Sequence, residues 1–353
     1  MLKRRLFLLV MTCGLSCGWA TLASAEDAQS AVQFDAVLVT GEVPGPSLWK
    51  VTHGDHTMWV LGIIQPLPKK LQWRSKYLEE IIGHSQEVIT AGRTNVDIDV
   101  GFMEGMKSIP NIMRMRRNPD DATLADVLDP DVYAKWSVLK TKYIGRSDSI
   151  ERLRPYYAAQ KLQEGALEKS GMSVETEVWP TVRKIAKRHR VKITLPDVDL
   201  KVKIDHASEM MKDLVTIPID DRDCFRTTIE QLEDDLATKK ARANAWAVGD
   251  LVALRELYGM PQTVNCMQVV RTVLAAHEGS TAKYSAHDAM AKAQAENANG
   301  RLEVERRWLA AVEAALDHNQ STFAVLSMYD VVNQKGRLAL LREKGYAVEA
   351  PSE

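Results

Sequence analysis

Cysteine is scarce in this 353-residue chain, which has only Cys13, Cys17, Cys224 and Cys266. No second Cys or His stands at ligand spacing from Cys224 or Cys266, which excludes a structural zinc site of the common spacing. Lys and Arg nowhere gather into a basic stripe or run of the kind that binds nucleic acid. There is no P-loop, no G-x-G-x-x-G and no G-x-S-x-G. No Ser/His/Asp or Cys/His set has nucleophile spacing either, so nucleophilic catalysis finds no support. Beyond residue 25 no segment approaches the roughly 20 apolar residues that a spanning helix needs. Internal repeats and low-complexity tracts are absent as well.

What is present begins with a leader. Lys3, Arg4 and Arg5 precede an apolar run from Leu6 to Leu22, and Ala23-Ser24-Ala25 is an A-x-A site. This is the pattern of a signal peptide cleaved after Ala25, and it implies a periplasmic or secreted protein. A membrane anchor is the competing reading, but the run is short and is broken by Thr12, Ser16 and several glycines. A lipoprotein fits less well, because Leu15 is misplaced relative to Cys17. Loss of the leader removes three cations and no acid, taking the net charge from −1 to −4. Cys13 and Cys17 leave with it. In an oxidising compartment Cys224 and Cys266 are then a disulfide pair, closing a loop of about 40 residues and worth on the order of 3–4 kcal/mol. Two unpaired buried thiols are the alternative.

Residues 26–46 are small and polar, with Pro and Gly, and read as a linker. Within them Phe34-Asp35-Ala36-Val37-Leu38-Val39-Thr40-Gly41 resembles the TonB-box-like stretches of some exported Gram-negative proteins and could add to a partner's sheet edge. A loose strand or tether is the plainer reading. From Leu48 the pattern is that of a folded domain, spanning 47–351. Leu48–Thr52 and Thr57–Ile64 form a hairpin about a turn at His53–His56. A helix runs from about Ser75 to His84, then a strand at Glu87–Ala91. From there to about Gly171 the chain reads as mostly helical. A basic amphipathic helix over Trp179–Arg190 leads into a strand at Val191–Leu195. Helices dominate from about Ala207 to Leu316, with Met210 and Met211 as core filler and an Ala-rich helix near 282–298. Val304, Trp308, Ala311, Val312 and Ala315 line one face of a helix that stops at Asn319. Thr322–Leu326 is a continuous apolar strand of the kind found inside mixed or parallel sheets. A short helix over Gly336–Lys344, ended by Gly345, precedes the last strand at Tyr346–Glu349. Strands at both ends with helices between them specify an α/β fold. Its mixed central β-sheet is built from N- and C-terminal strands and carries a large helical insertion.

Several blocks resemble the TraB/GumN family. Leu48-Trp49-Lys50-Val51, Gly54, Trp59-Val60-Leu61-Gly62-Ile63-Ile64-Gln65 and Leu67-Pro68 match a family pattern like "LWKV..G....LLGTIH.LP". Glu305-Arg306-Arg307-Trp308, Thr322–Asp330, Leu341 and Gly345-Tyr346-Ala347-Val348 match its C-terminal block. Between them, Ala245–Asp250 resembles "AWA.GD" and Leu153-Arg154-Pro155-Tyr156 resembles "L.PW". The order and spacing of these blocks, over about 48–349, make the resemblance specific. It implies an α/β fold shared with Tiki-type metalloproteases and erythromycin-esterase-like proteins. It also implies a metal-dependent hydrolase or protease site, in which two Gly-x-x-His motifs and a glutamate surround a divalent ion that activates water.

This sequence departs from that pattern at each ligand position. The first motif reads Gly62-Ile63-Ile64-Gln65, the glutamate position falls on Ala91, and the second motif reads Ser327-Met328-Tyr329-Asp330. The family's "RN" pair carries Arg307 in place of Asn. Ala91 has no donor, Gln65 offers a neutral amide oxygen, and Asp330 is one anionic ligand alone. Glu87, four residues upstream of Ala91, shares its strand face but lies about 13 Å away along the strand. His53 and His56 have H-x-x-H spacing, but on a turn, where exposed turn residues are the plainer reading. The Arg114-Met115-Arg116-Arg117 cluster reads as a solvated helix face. His277 and His287 fall in the helical insertion, where solvation is the default.

Gln65, Arg306 and Asp330 are the polar candidates for a binding pocket at the strand ends. They either line a retained cleft that has lost hydrolysis or simply satisfy one another by hydrogen bonds. The reading adopted is therefore an exported, non-catalytic domain, a pseudoenzyme with no metal and no other cofactor. Its partner is a peptide, a small molecule or an envelope protein. A hydrolase with a rebuilt site around Asp330, which would require a divalent metal, is the first alternative. A structural envelope component recruited through 34–41 is the second.

Overall fold

A computed structural model describes residues 42–260, 266–276 and 286–351. The expected leader, the 34–41 segment and His277 lie outside these residues, as does the side chain of His287. The described residues fall in one compact unit, and among them no helix is long and apolar enough to cross a membrane.

The expected hairpin forms from β1 (Leu48–His53) and β2 (His56–Ile63), antiparallel with Val51 opposite Met58. Helix α1 (Lys76–Gly83) leads to β3 (Glu87–Thr90). Then comes β4 (Thr94–Asp99), where the sequence reads as mostly helical. This is a correction. β4 pairs in parallel with β6 (Val198–Lys203), setting Val96 opposite Leu200 and Asp97 opposite Lys201. Alternating charges at Asp97 and Asp99 mask the strand, because Asp is disfavoured in strands, while the facing lysines of β6 supply the compensating charge.

The insertion contains α2 (Phe102–Arg116), α3 (Pro130–Tyr143), α4 (Pro155–Lys169) and α5 (Val178–Arg188), followed by β5 (Lys192–Thr194). After β6 come α6 (Ala207–Thr216), α7 (Arg222–Val248), α8 (Leu251–Gly259) and α9 (Cys266–Ala276). The two C-terminal helical stretches expected near 282–298 and 304–315 are one helix, α10 (Ala286–His318). It ends before Asn319, and its buried stripe is Val304, Trp308, Val312 and Ala315. β7 (Ser321–Ser327), α11 (Met328–Val332), α12 (Arg337–Glu343) and β8 (Ala347–Glu349) complete the chain.

The six-stranded sheet has the order β8-β1-β2-β7-β3-β5. β8 and β2 flank β1 and both run antiparallel to it, whereas β2, β7, β3 and β5 run parallel. This is the mixed α/β sheet expected from strands at both ends of the chain. Its two middle strands are β2 and β7, and the β7 run Thr322–Leu326 is buried throughout. Such a strand must be apolar on both faces because helices cover both. Part of the stretch read as a linker, 26–46, has described structure. Glu42–Val43 pairs with Gln72–Trp73, Val43 is buried, and Gly45 N donates to Ala247 O at 2.9 Å.

Cys224 and Cys266 form a disulfide joining α7 to α9, with Cα atoms 5.2 Å apart. Beside it lies a second small core of Tyr156, Leu214, Ile217 and Val270.

Candidate functional site

Three neighbouring parallel strands, β2, β7 and β3, end on the same edge of the sheet. Ile63 is registered with Ser327, and Thr90 with Val325. Gln65, Ala91 and Asp330 each follow one of these ends within three residues. The three positions singled out from sequence are thus gathered on one edge, beyond the carboxyl ends of the strands, where open α/β sheets place their sites.

Tight packing holds this edge. Gly62 lies against α11: an added Cβ there would meet Met328 Cε at 2.8 Å and Met328 Sδ at 3.1 Å. The two Gly/Ser-x-x-Gln/Asp segments meet here through the flexible end of Met328. The Ala245–Asp250 block supports the same place, because buried Trp246 donates from Nε1 to Gly62 O at 2.7 Å. Asp250 caps α8 by accepting from Ala253 N at 2.9 Å. On the other side, Ser327 Oγ accepts from Asp330 N at 3.1 Å and donates to Asp330 Oδ2 at 2.7 Å, fixing the carboxylate in the first turn of α11.

The residue that dominates the site is Arg337, which sequence reasoning missed. Its Nη1 donates to Ala91 O at 2.6 Å, and its Nε lies 3.9 Å from Asp330 Oδ1. The guanidinium carbon sits 4.7 Å from the ring centre of Trp308. Only 14% of this side chain is exposed. Burial pushes its pKa down, while the charges of Asp330 and Glu305 push it back up. An arginine in this setting remains a cation. Nothing in the sequence marks it, since its partners lie in three separate segments.

Arg337 forms part of the wall of a cleft of about 740 Å³. Arg93, Arg301 and Lys335 add cations, Glu305, Asp330 and Glu343 add acids, and Asn297 and Gln334 add amides. Asp330 lines the cleft, whereas Gln65 and Arg306 are not among its lining residues. Gln65 is exposed. Arg306 points outward from α10 and pairs with Glu303 at 2.7 Å, its side chain 71% exposed. Arg307 shares Glu303 and donates to Asp197 O at 2.7 Å, so it anchors α10 to the segment before β6.

These residues do not fit a divalent metal. Ala91 presents a methyl group, Gln65 faces solvent, and the single carboxylate of Asp330 already has a guanidinium beside it. Glu87 is no substitute. It lies at the opposite end of β3, where Lys192 (2.9 Å), Thr194 and Asn319 satisfy its carboxylate. His53 pairs with Asp317 at 3.3 Å and His56 Nδ1 lies 2.6 Å from Leu316 O, so the H-x-x-H pair fastens the hairpin turn to the end of α10. Among the described residues no three His, Cys, Asp or Glu side chains are grouped to hold an ion.

The family profile described as "TraB/PrgY/gumN family" matches residues 47–350. No curated protein and no solved structure gives a significant match.

Proposed function

The chain belongs to the TraB/PrgY/gumN family, and we propose that it is an exported, non-catalytic member whose cleft at the sheet edge binds a peptide or a polar small molecule. The observation that carries this reading is the place of Arg337. Its cation lies between Ala91 O and the Asp330 carboxylate, two of the three positions at which the family resemblance puts ligands for a metal. A second cation brought to the same spot would meet like-charge repulsion. The cleft is otherwise lined by cations, acids and amides together. That mixture matches a zwitterionic, amide-bearing ligand, and peptides are the commonest such class.

The test is fluorescence anisotropy with short labelled peptides, followed by mass spectrometry of the same samples. Binding without cleavage is expected. Asp330→Ala and Arg337→Met should each weaken it about tenfold, the loss of one buried charged contact. Cleavage that a chelator abolishes would refute the reading.

A further inference from the structure

Helix α2 is inside out. The two residues it buries are polar, Ser108 at 4% exposed and Asn111 at 8%, and on that inward face only Met115 packs against a hydrophobic core. Ser108 Oγ donates to Glu104 O at 2.7 Å, and Glu104 Oε2 accepts from Ser208 N and Oγ on the neighbouring α6. The residues it turns to solvent are apolar. Phe102 is 79% exposed, and Met103, Met106, Ile109 and Met113 are about half exposed or more. Positions 102, 106, 109 and 113 have the spacing of one helix face. A surface helix of a water-soluble domain carries the opposite arrangement. Val96 and Ile98, just upstream on β4, are exposed as well. An apolar helix face exposed in this way marks a site of contact.

The charges beside the stripe select what makes that contact. Phe102–Arg117 contains one acid, Glu104, and four cations, Lys107, Arg114, Arg116 and Arg117, a net charge of +3. Glu104 is engaged by Ser208 and by Lys107 at 3.3 Å. At about 3.6 residues per turn, Lys107 and Arg114 fall along one border of the stripe and Arg116 along the other. Arg116 also lies over the Tyr157 ring, and Arg117 pairs with Asp121 at 3.3 Å. A second copy of the chain docked on this face would bring like charges together. An anionic lipid surface satisfies both components. Acyl chains accept Phe102 and the methionines, and phosphates accept cations whose alkyl stems reach up to headgroup level.

We propose that α2 is an in-plane membrane anchor that lays its Phe102–Met113 stripe into the surface of an anionic bilayer. The Arg114–Arg117 cluster, an ordinary solvated face by sequence, is then the border of that surface. The inference stands apart from the cleft and does not depend on what the cleft binds.

The full chain is mixed with phosphatidylethanolamine/phosphatidylglycerol vesicles and, separately, with phosphatidylcholine vesicles. Flotation measures binding, and hydrogen exchange over residues 102–116 reads α2 directly, whatever else touches lipid. Flotation with the anionic vesicles, weakened by salt, and slowed exchange over 102–116 are expected. Phe102→Ser combined with Met106→Ser should weaken binding about tenfold or more with the melting temperature unchanged, and Arg114→Glu should weaken it as well. No vesicle binding, or binding with exchange over 102–116 unaltered, would overturn the proposal. So would a lipid-free dimer, seen by sedimentation velocity, that Phe102→Ser/Met106→Ser dissociates.

Discussion

Arg337 donates to the carbonyl oxygen of Ala91 at 2.6 Å across 246 positions of sequence. The bond ties the end of β3 to the start of α12, and the same guanidinium stacks over Trp308. Charge-assisted hydrogen bonds of this kind contribute about 1.5–3 kcal/mol. Arg337→Met is expected to lower unfolding stability by about that amount in urea titrations. Arg337→Lys should recover less than half of it, because an ammonium neither forks nor stacks as a guanidinium does. Full recovery by Lys would show that only the charge matters.

A stronger consequence concerns restoring the metal site. Gln65→His, Ala91→Glu and Asp330→His together supply the family's ligand types. With Arg337 retained, its cation competes for the same carboxylate. Calorimetric titration with zinc should therefore give tighter binding when Arg337→Gln is added to the triple variant, by about tenfold or more. Equal affinity with and without Arg337→Gln would place the guanidinium outside the ligand sphere.

Much of this fold is legible in the sequence, and the illegible parts have specific causes. The hairpin, β3, β5, β7 and the C-terminal helix and strand follow from periodicity and turn residues. β4 and β6 do not, because Asp97, Asp99, Lys201 and Lys203 break their apolar runs and only pairing explains them. At the site, the family resemblance singles out Gln65, Ala91 and Asp330, which follow the ends of β2, β3 and β7. Arg337 stays invisible because a lone arginine at the start of a helix carries no signal until distant segments meet. Arg306 misleads for the converse reason. It sits in a recognisable motif, yet faces solvent beside Glu303.

Asp221 supplies a pH signature. Its buried carboxylate accepts from Tyr156 N at 2.9 Å. Burial raises its pKa, and the Tyr156 N–H and the Arg154 charge offset this only in part. With the folded-state pKa above the unfolded one, its contribution to stability is fully present below the unfolded pKa and lost as pH rises through the folded value. The ionised group therefore costs stability near neutrality. Asp221→Asn keeps an acceptor and removes the charge. It should be more stable than the parent at pH 7, with the gain shrinking as the pH is lowered toward the unfolded-state value of about 3.9. Denaturant titrations across that range check the sign.

The Cys224–Cys266 bond spans 42 positions. In the chain-entropy account a loop of that length contributes about 3–4 kcal/mol. Reduction, or Cys224→Ser with Cys266→Ser, should lower stability by about that much in equilibrium unfolding. Exchange should rise first around Tyr156, Leu214 and Val270, which pack beside the bridge. A uniform rise across the sheet would contradict a local role.

The most direct measurement is elemental analysis of the purified protein after exposure to zinc, manganese and iron, with peptide hydrolysis assayed on the same sample. Far less than one equivalent of any divalent ion, and no turnover, is expected. One tightly held ion per chain, lost together with hydrolysis in Asp330→Ala, would contradict this expectation.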